Sequence, residues 1–256
     1  MIVFVGAGPG AADLITVRGQ QAIARADVVL YAGSLVNPEL LQYAKDGCRV
    51  RNTADMTLEE VFSEMKDAEA AGLLTVRLHT GDPSLYGAIR EQMDLLDEAG
   101  IGYEVVPGVS AFSGAAAALK AELTLPGVSQ TVILTRTAGR TDVPAAESVP
   151  SLAAHGATMV FYLSTGLAEK LQGELLAGGL AADTPVAIVY KATWPEERIA
   201  RGTLGELPQL QASLGVQNTA LILVGGFLGS AYERSKLYDP GFSHGFRKGT
   251  DEGTFQ

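Results

Sequence analysis

Short apolar runs alternate along the first half of this chain with stretches of helical periodicity. Runs at 2–5, 28–31, 74–79 and 103–106 predict strands, and a 3.6-residue period over 16–26, 57–71, 84–99 and 110–121 predicts helices. Thr57 followed three positions later by Glu60 reads as a capping box, and Gly72 and Gly100 stand where helices should stop. This βα alternation implies a mainly parallel sheet covered by helices on both faces.

The pattern changes around 137–151, a stretch rich in Pro, Ser, Thr and charge that reads as an exposed loop. Strands are predicted at 131–135, 158–163, 185–190, 199–203 and 220–225, with helices only near 166–177 and 205–214. Strands outnumber helices there, so a second, mixed sheet with antiparallel pairs is expected. The organisation is therefore an N-terminal α/β lobe over 1–115, a linker over 116–130 and a C-terminal α/β lobe over 131–230. A cleft between the lobes is expected. A tail over 231–256 shows little periodicity and is either partly disordered or laid over another surface.

Three Gly/Pro-rich loops each follow an apolar run: Gly6-Ala7-Gly8-Pro9-Gly10, Gly81-Asp82-Pro83-Ser84-Leu85-Tyr86-Gly87 and Pro107-Gly108-Val109-Ser110. In a parallel sheet the carboxyl ends of the strands face one crevice, where ligands bind. Glycines there let backbone approach a ligand closely. Three such loops predict a preorganised pocket for a nucleotide-like cofactor.

Composition narrows the chemistry. The chain has 256 residues, 47% of them hydrophobic, and a net charge of −10, which disfavours nucleic acid as the main partner. Cys48 is the only cysteine, and His79, His155 and His244 show no metal-ligand spacing, so neither a disulfide nor a resident metal is expected. Apolar stretches such as 220–224 are too short to span a bilayer, and the start shows no signal-peptide pattern, so a cytoplasmic location is expected.

The first loop fits G-x-G-x-x-A through Gly6, Gly8 and Ala11, yet no acid closes the second strand, which ends Leu30-Tyr31-Ala32-Gly33. A dinucleotide site is the weaker reading. Gly108-Val109-Ser110-Ala111-Phe112 approaches a nucleophile elbow, but Phe112 stands where the second glycine belongs. Asp82 reads equally as a turn aspartate or as a carboxylate facing the crevice. Arg136 and Arg140 read as solvated loop residues, or as guanidiniums for a polycarboxylate substrate. Lys191, Arg77 and His79 admit the same reading with less force.

These motifs resemble those of the tetrapyrrole methylases. Val5-Gly6-Ala7-Gly8-Pro9-Gly10 followed by Asp13-Leu14-Ile15-Thr16-Val17-Arg18-Gly19 is similar to the family's opening signature. The Gly81 and Pro107 loops, Thr184 to Pro195 and Ala220 to Gly225 resemble its later motifs, in order, so that the resemblance covers about 1–230. Tyr31 to Val36, His79 to Asp82, Gln130 to Arg136, Lys191 to Pro195 and the tail Ser235 to Pro240 with Ser243 to Arg247 resemble the members that methylate carbon 11 of precorrin-4.

The resemblance implies two α/β lobes with the active-site cleft between them, a tetrapyrrole substrate, a homodimer, and S-adenosylmethionine as methyl donor with S-adenosylhomocysteine as product. Carried over by position, the cofactor contacts fall on Pro9, Thr80, Gly81, Asp82, Leu85, Ser110, Ala111, Leu163, Ala192, Thr219 and Ala220. No general base is assigned, because Tyr31 is followed by Ala32, Gly33 and Ser34 where relatives carry an acid. The nearest alternative is methylation at another macrocycle carbon, of the carbon-17 or carbon-20 type. RNA or protein acceptors, a dinucleotide oxidoreductase and a non-catalytic binding module stand behind it.

Overall fold

The structure, a computed structural model, describes residues 1–33 and 35–250. The tail's last six residues, 251–256, and Ser34 of the Tyr31 to Val36 motif lie outside the described residues. The chain divides into two compact units, the first built from Met1–Lys120, Ile188–Ala200 and Leu214–Leu221, the second from Ala121–Ala187, Arg201–Ser213 and Ile222–Gln256.

In the first unit, strands β1 (Ile2–Gly6), β2 (Val28–Tyr31), β3 (Arg49–Asn52), β4 (Thr75–His79) and β5 (Tyr103–Val106) form one sheet in the order β3-β2-β4-β1-β5. Every pairing in it is parallel. Helices α1 (Val17–Arg25), α2 (Leu58–Ala70), α3 (Ile89–Glu98) and α4 (Ala111–Leu119) belong to the same unit. The two-residue alternation of strands sorts the apolar side chains onto two faces. Val3, Val5, Val29, Val76 and Leu78 pack with Ala22 and Ile23 of α1, while Ile2, Phe4, Val28 and Leu30 pack with Val61, Met65 and Leu96 of α2 and α3. Burial on both faces is why β1 and β2 read as unbroken apolar runs. The neighbouring strands β4, β1 and β5 are the three whose carboxyl ends carry the glycine loops.

The second sheet comprises β6 (Val132–Thr135), β7 (Thr158–Phe161), β8 (Pro185–Tyr190), β9 (Arg198–Thr203) and β10 (Ala220–Val224), in the order β6-β7-β10-β8-β9. It is mixed: β6 and β7 run parallel, β7 and β10 antiparallel. Its helices are α5 (Val149–Ala153), α6 (Ala168–Ala177) and α7 (Leu207–Leu214). No described helix is long and apolar enough to cross a membrane.

Three local expectations are corrected. Strand β3 is unexpected, because Arg49-Val50-Arg51-Asn52 is wholly exposed and is held at the sheet edge by pairing with β2 and by ion pairs of Arg49 and Arg51 with Glu64 of α2. Helix α3 starts at Ile89 rather than near 84, since Asp82 draws Ser84 into a side-chain-capped turn and Tyr86 and Ala88 adopt left-handed backbone (φ 56° and 49°). The 137–151 stretch is not loop throughout. Short α5 opens at its end, with Val149 buried.

Candidate active site

The three glycine loops are joined backbone to backbone. Gly8 and Gly81 exchange two hydrogen bonds, Gly81 N to Gly8 O at 2.8 Å and Gly8 N to Gly81 O at 3.2 Å. Ala7 N donates to His79 O at 2.7 Å. A side chain at Gly6 would bring its Cβ to 2.5 Å from Gly108 Cα and 2.7 Å from Gly81 O, so only glycine permits this approach. Gly81 takes the left-handed backbone (φ 60°) that directs its carbonyl into the junction. This part of the crevice is built from main chain.

Asp82 completes the junction. Its Oδ2 accepts from Gly108 N at 2.8 Å, and its Oδ1 accepts from Ser84 N at 2.9 Å and from the Ser84 hydroxyl. Burial pushes the carboxyl up, but the bonds from the Ser84 hydroxyl, Gly108 N–H and Ser84 N–H outweigh it, so its pKa lies below the ordinary value. Asp82 is therefore anionic at neutral pH. One carboxylate serves both as a turn aspartate and as an anion at a strand end.

Arg77 and His79 do not belong to a solvent-facing anion site. Both side chains are buried on β4, on the face covered by α3. Arg77 Nε donates to Gln92 Oε1 at 3.2 Å and its Nη1 to Leu30 O at 3.3 Å. His79 lies beside Phe4, ring centroids 5.9 Å apart, and its Nε2 is buried without a partner. Burial pushes the Arg77 guanidinium down to about 10. Burial and then the Arg77 charge push the His79 imidazole down to about 3. His79 is neutral in the folded protein.

Sequence reasoning missed the residues that grip the first loop from far along the chain. Ala11 N donates to Thr193 Oγ1 at 3.0 Å, Trp194 Nε1 to Pro9 O at 3.1 Å, and buried Asn37 Nδ2 to Gly10 O at 2.9 Å. All belong to the first unit. Their signal is indirect: the Lys191 to Pro195 motif is visible in the sequence, but not what it touches.

The family model for Tetrapyrrole (Corrin/Porphyrin) Methylases matches residues 1–208. The chain belongs to this family. It is 50% identical to the cobalt-precorrin-4 C(11)-methyltransferase of Methanocaldococcus jannaschii, over 96% of each chain. It is 49% identical to the protein of that name from Priestia megaterium, over 97% of this chain and 98% of the relative. Among solved structures it resembles a cobalt precorrin-4 methyltransferase of cobalamin biosynthesis (TM-score 0.87, 48% identity, 90% of this chain and 96% of that one). It also resembles the Thermus thermophilus uroporphyrin-III C-methyl transferase complexed with S-adenyl homocysteine (TM-score 0.75, 28% identity, 89% and 98% covered).

Of the positions that the tetrapyrrole methylase resemblance assigns to the cofactor, the first unit holds ten: Pro9, Thr80, Gly81, Asp82, Leu85, Ser110, Ala111, Ala192, Thr219 and Ala220. Leu85 N donates to Asp82 O at 3.2 Å within one loop; across loops, a Cβ on Gly81 would sit 3.3 Å from Ala111 N, and Lys191 N donates to Thr219 O at 2.9 Å. Thr219 and Lys191 are left-handed (φ 56° and 46°), as is Leu163 (φ 54°). Non-glycine residues in that region carry strain that the surrounding bonds must hold. Leu163 lies in the second unit, 71% exposed although large and apolar. Arg136 and Arg140 are also in the second unit. Arg136 gives its Nη1 to Thr141 O at 3.0 Å and its Nη2 to Asp142 O at 2.6 Å, while Arg140 is exposed. The Lys191 ammonium lies 3.3 Å from Glu196 Oε1 and 4.9 Å from the Trp194 ring centroid.

Proposed function

We propose that this chain is an S-adenosylmethionine-dependent methyltransferase that methylates carbon 11 of precorrin-4, or of its cobalt complex, in cobalamin biosynthesis. The observation that carries the reading is 50% identity to a relative of that name across 96% of both chains. The geometry fits the cofactor. Main chain crowds the junction of Gly6, Gly81 and Gly108 so closely that a Cβ would collide, leaving a rigid, backbone-lined rim beside an anionic Asp82.

S-adenosylmethionine, when bound, supplies a methyl group already activated on a sulfonium. The protein's share is alignment and exclusion of water, which can contribute roughly 7–11 kcal/mol in favourable cases. Pro9, Thr80, Gly81, Asp82, Leu85, Ser110 and Ala111, with Ala192, Thr219 and Ala220, are the residues that would hold it in the first unit. Loops locked before binding lose little freedom on binding, which favours affinity. The Asp82 carboxylate offers charge complementarity to a cationic ligand. Lys191 is the proposed cation for a carboxylate arm of the substrate. A homodimer is inferred from the family resemblance.

Incubation with methyl-labelled S-adenosylmethionine and either precorrin-4 or its cobalt form, followed by NMR of the product, tests the assignment. The label is expected at carbon 11, and the preferred form identifies the pathway variant. A label at a different ring carbon would overturn the carbon-11 assignment.

A further inference from the structure

The first glycine loop is not held by its neighbours in sequence. The Pro9 carbonyl, the Gly10 carbonyl and the Ala11 N–H are all taken by side chains, those of Trp194, Asn37 and Thr193. Two of these come from more than 180 positions away. Gly10 lies against the indole, where a Cβ would strike the Trp194 ring and come to 2.8 Å from Ala192 O. Orientation of the Pro9 peptide is thus set by the 191–197 turn, and that of the Gly10 peptide by the turn together with Asn37.

That turn is itself tightly specified. Thr193 is β-branched yet left-handed (φ 69°), an uncommon state for such a residue. It is secured by Thr193 N to Glu197 Oε2 at 2.7 Å, Trp194 N to Lys191 O at 3.0 Å and Glu197 N to Trp194 O at 3.0 Å. Strain of this kind persists where the surroundings over-determine the backbone. A rigid turn, tied to the sheet through Lys191 N and Thr219 O, presents one indole N–H to one carbonyl of the loop.

We propose that Trp194 is a positioning residue for the cofactor: its indole N–H and ring fix the Pro9-Gly10 peptide in the orientation that S-adenosylmethionine and S-adenosylhomocysteine require. The proposal rests on the methyltransferase reading and on Pro9 as a cofactor contact. Trp194 acts through Pro9 and touches no reacting atom.

Trp194 is the only tryptophan in the chain, so the emission of the unmodified protein reports on this loop. Titration with S-adenosylhomocysteine should change that emission saturably, with the same midpoint as calorimetry. Trp194→Phe keeps a ring but removes the N–H. It should weaken S-adenosylhomocysteine binding and raise the KM for S-adenosylmethionine about fivefold, the worth of one hydrogen bond. Meanwhile kcat and the tetrapyrrole KM should stay within about twofold. Should Trp194→Phe fail to fold, Thr193→Ser, which keeps the acceptor for Ala11, should retain the wild-type KM and Thr193→Ala should raise it. A lowered melting temperature with unchanged cofactor affinity would reduce Trp194 to a structural residue and overturn the proposal. Unchanged emission on saturation would do the same. No calorimetric binding by the wild-type protein would instead overturn the methyltransferase reading, and the positioning role with it.

Discussion

Two loops of similar composition are held in opposite ways. Residues 81–88 and 137–148 both contain Gly, Pro, Ser, Asp and Ala. The first meets other backbone at Gly6, Gly8 and Gly108 and is sealed by a half-buried Asp82. The second is tied by side chains reaching its carbonyls, Arg136 to Thr141 and Asp142 and Lys170 to Ala138 at 2.6 Å. A Cβ on its Gly139 would meet only the Leu167 methyl, at 3.2 Å. Glycine is obligatory where main chain packs on main chain and merely tolerated where flexible side chains do the holding. The first arrangement suits a preformed binding rim, the second a restrained surface loop.

The largest effect that separates them is expected from Gly108→Ala. Its Cβ would run into Gly81 O and lie 2.7 Å from Gly6 Cα, and backbone on both sides cannot yield as a side chain would. Urea unfolding should show a loss of about 3 kcal/mol. A change below about 0.5 kcal/mol would mean the loops part easily, and the contrast would fail.

Next comes pH, because the first loop follows directly on the buried His79. Unfolded histidine titrates near 6.5 and the folded His79 near 3, so the unfolded state takes up the proton first. The stability from this group is complete above about pH 6.5 and declines as pH falls toward 3, by up to about 1.4 kcal/mol per unit. His79→Leu should flatten that slope in urea titrations between pH 6.5 and 4.5. An equal slope in both proteins would show that the buried imidazole does not drive it.

The smallest effect is expected at Gly139→Ala, within about 0.5 kcal/mol of the wild type by the same unfolding measurement. A loss comparable to that of Gly108→Ala would erase the distinction between the two loops.

Much of this architecture was legible because the signals were local. Burial on both faces wrote β1 and β2 as apolar runs and put all of β4 inside, whereas β5 exposes Glu104 and Val105 and was legible from its valines and the glycine loop that follows it. The same reasoning, carried further, places Arg77 and His79 in the interior, since they alternate with Val76 and Leu78 on a strand covered on both sides. Their polarity suggested a surface role instead. Strand β3 escaped because pattern reading detects burial, and this exposed edge strand is defined by backbone pairing and ion pairs instead. Helix α5 escaped because five residues are too few to show a period. The late start of α3 depends on a turn around Asp82 that overrides helical propensity in 84–88. Thr193 and Trp194 could not be connected to Pro9 and Ala11 from sequence, because no local pattern encodes a contact across 182 or 185 positions.

The central claim is that the backbone junction closed by Asp82 is the cofactor site. Calorimetry of S-adenosylhomocysteine binding to Asp82→Ala tests it most directly, beside circular dichroism to verify the fold. Removing the acceptor for Gly108 N and Ser84 should weaken binding at least about tenfold, the combined worth of lost loop order and a lost carboxylate. A folded variant that binds as tightly as the wild type would contradict the account.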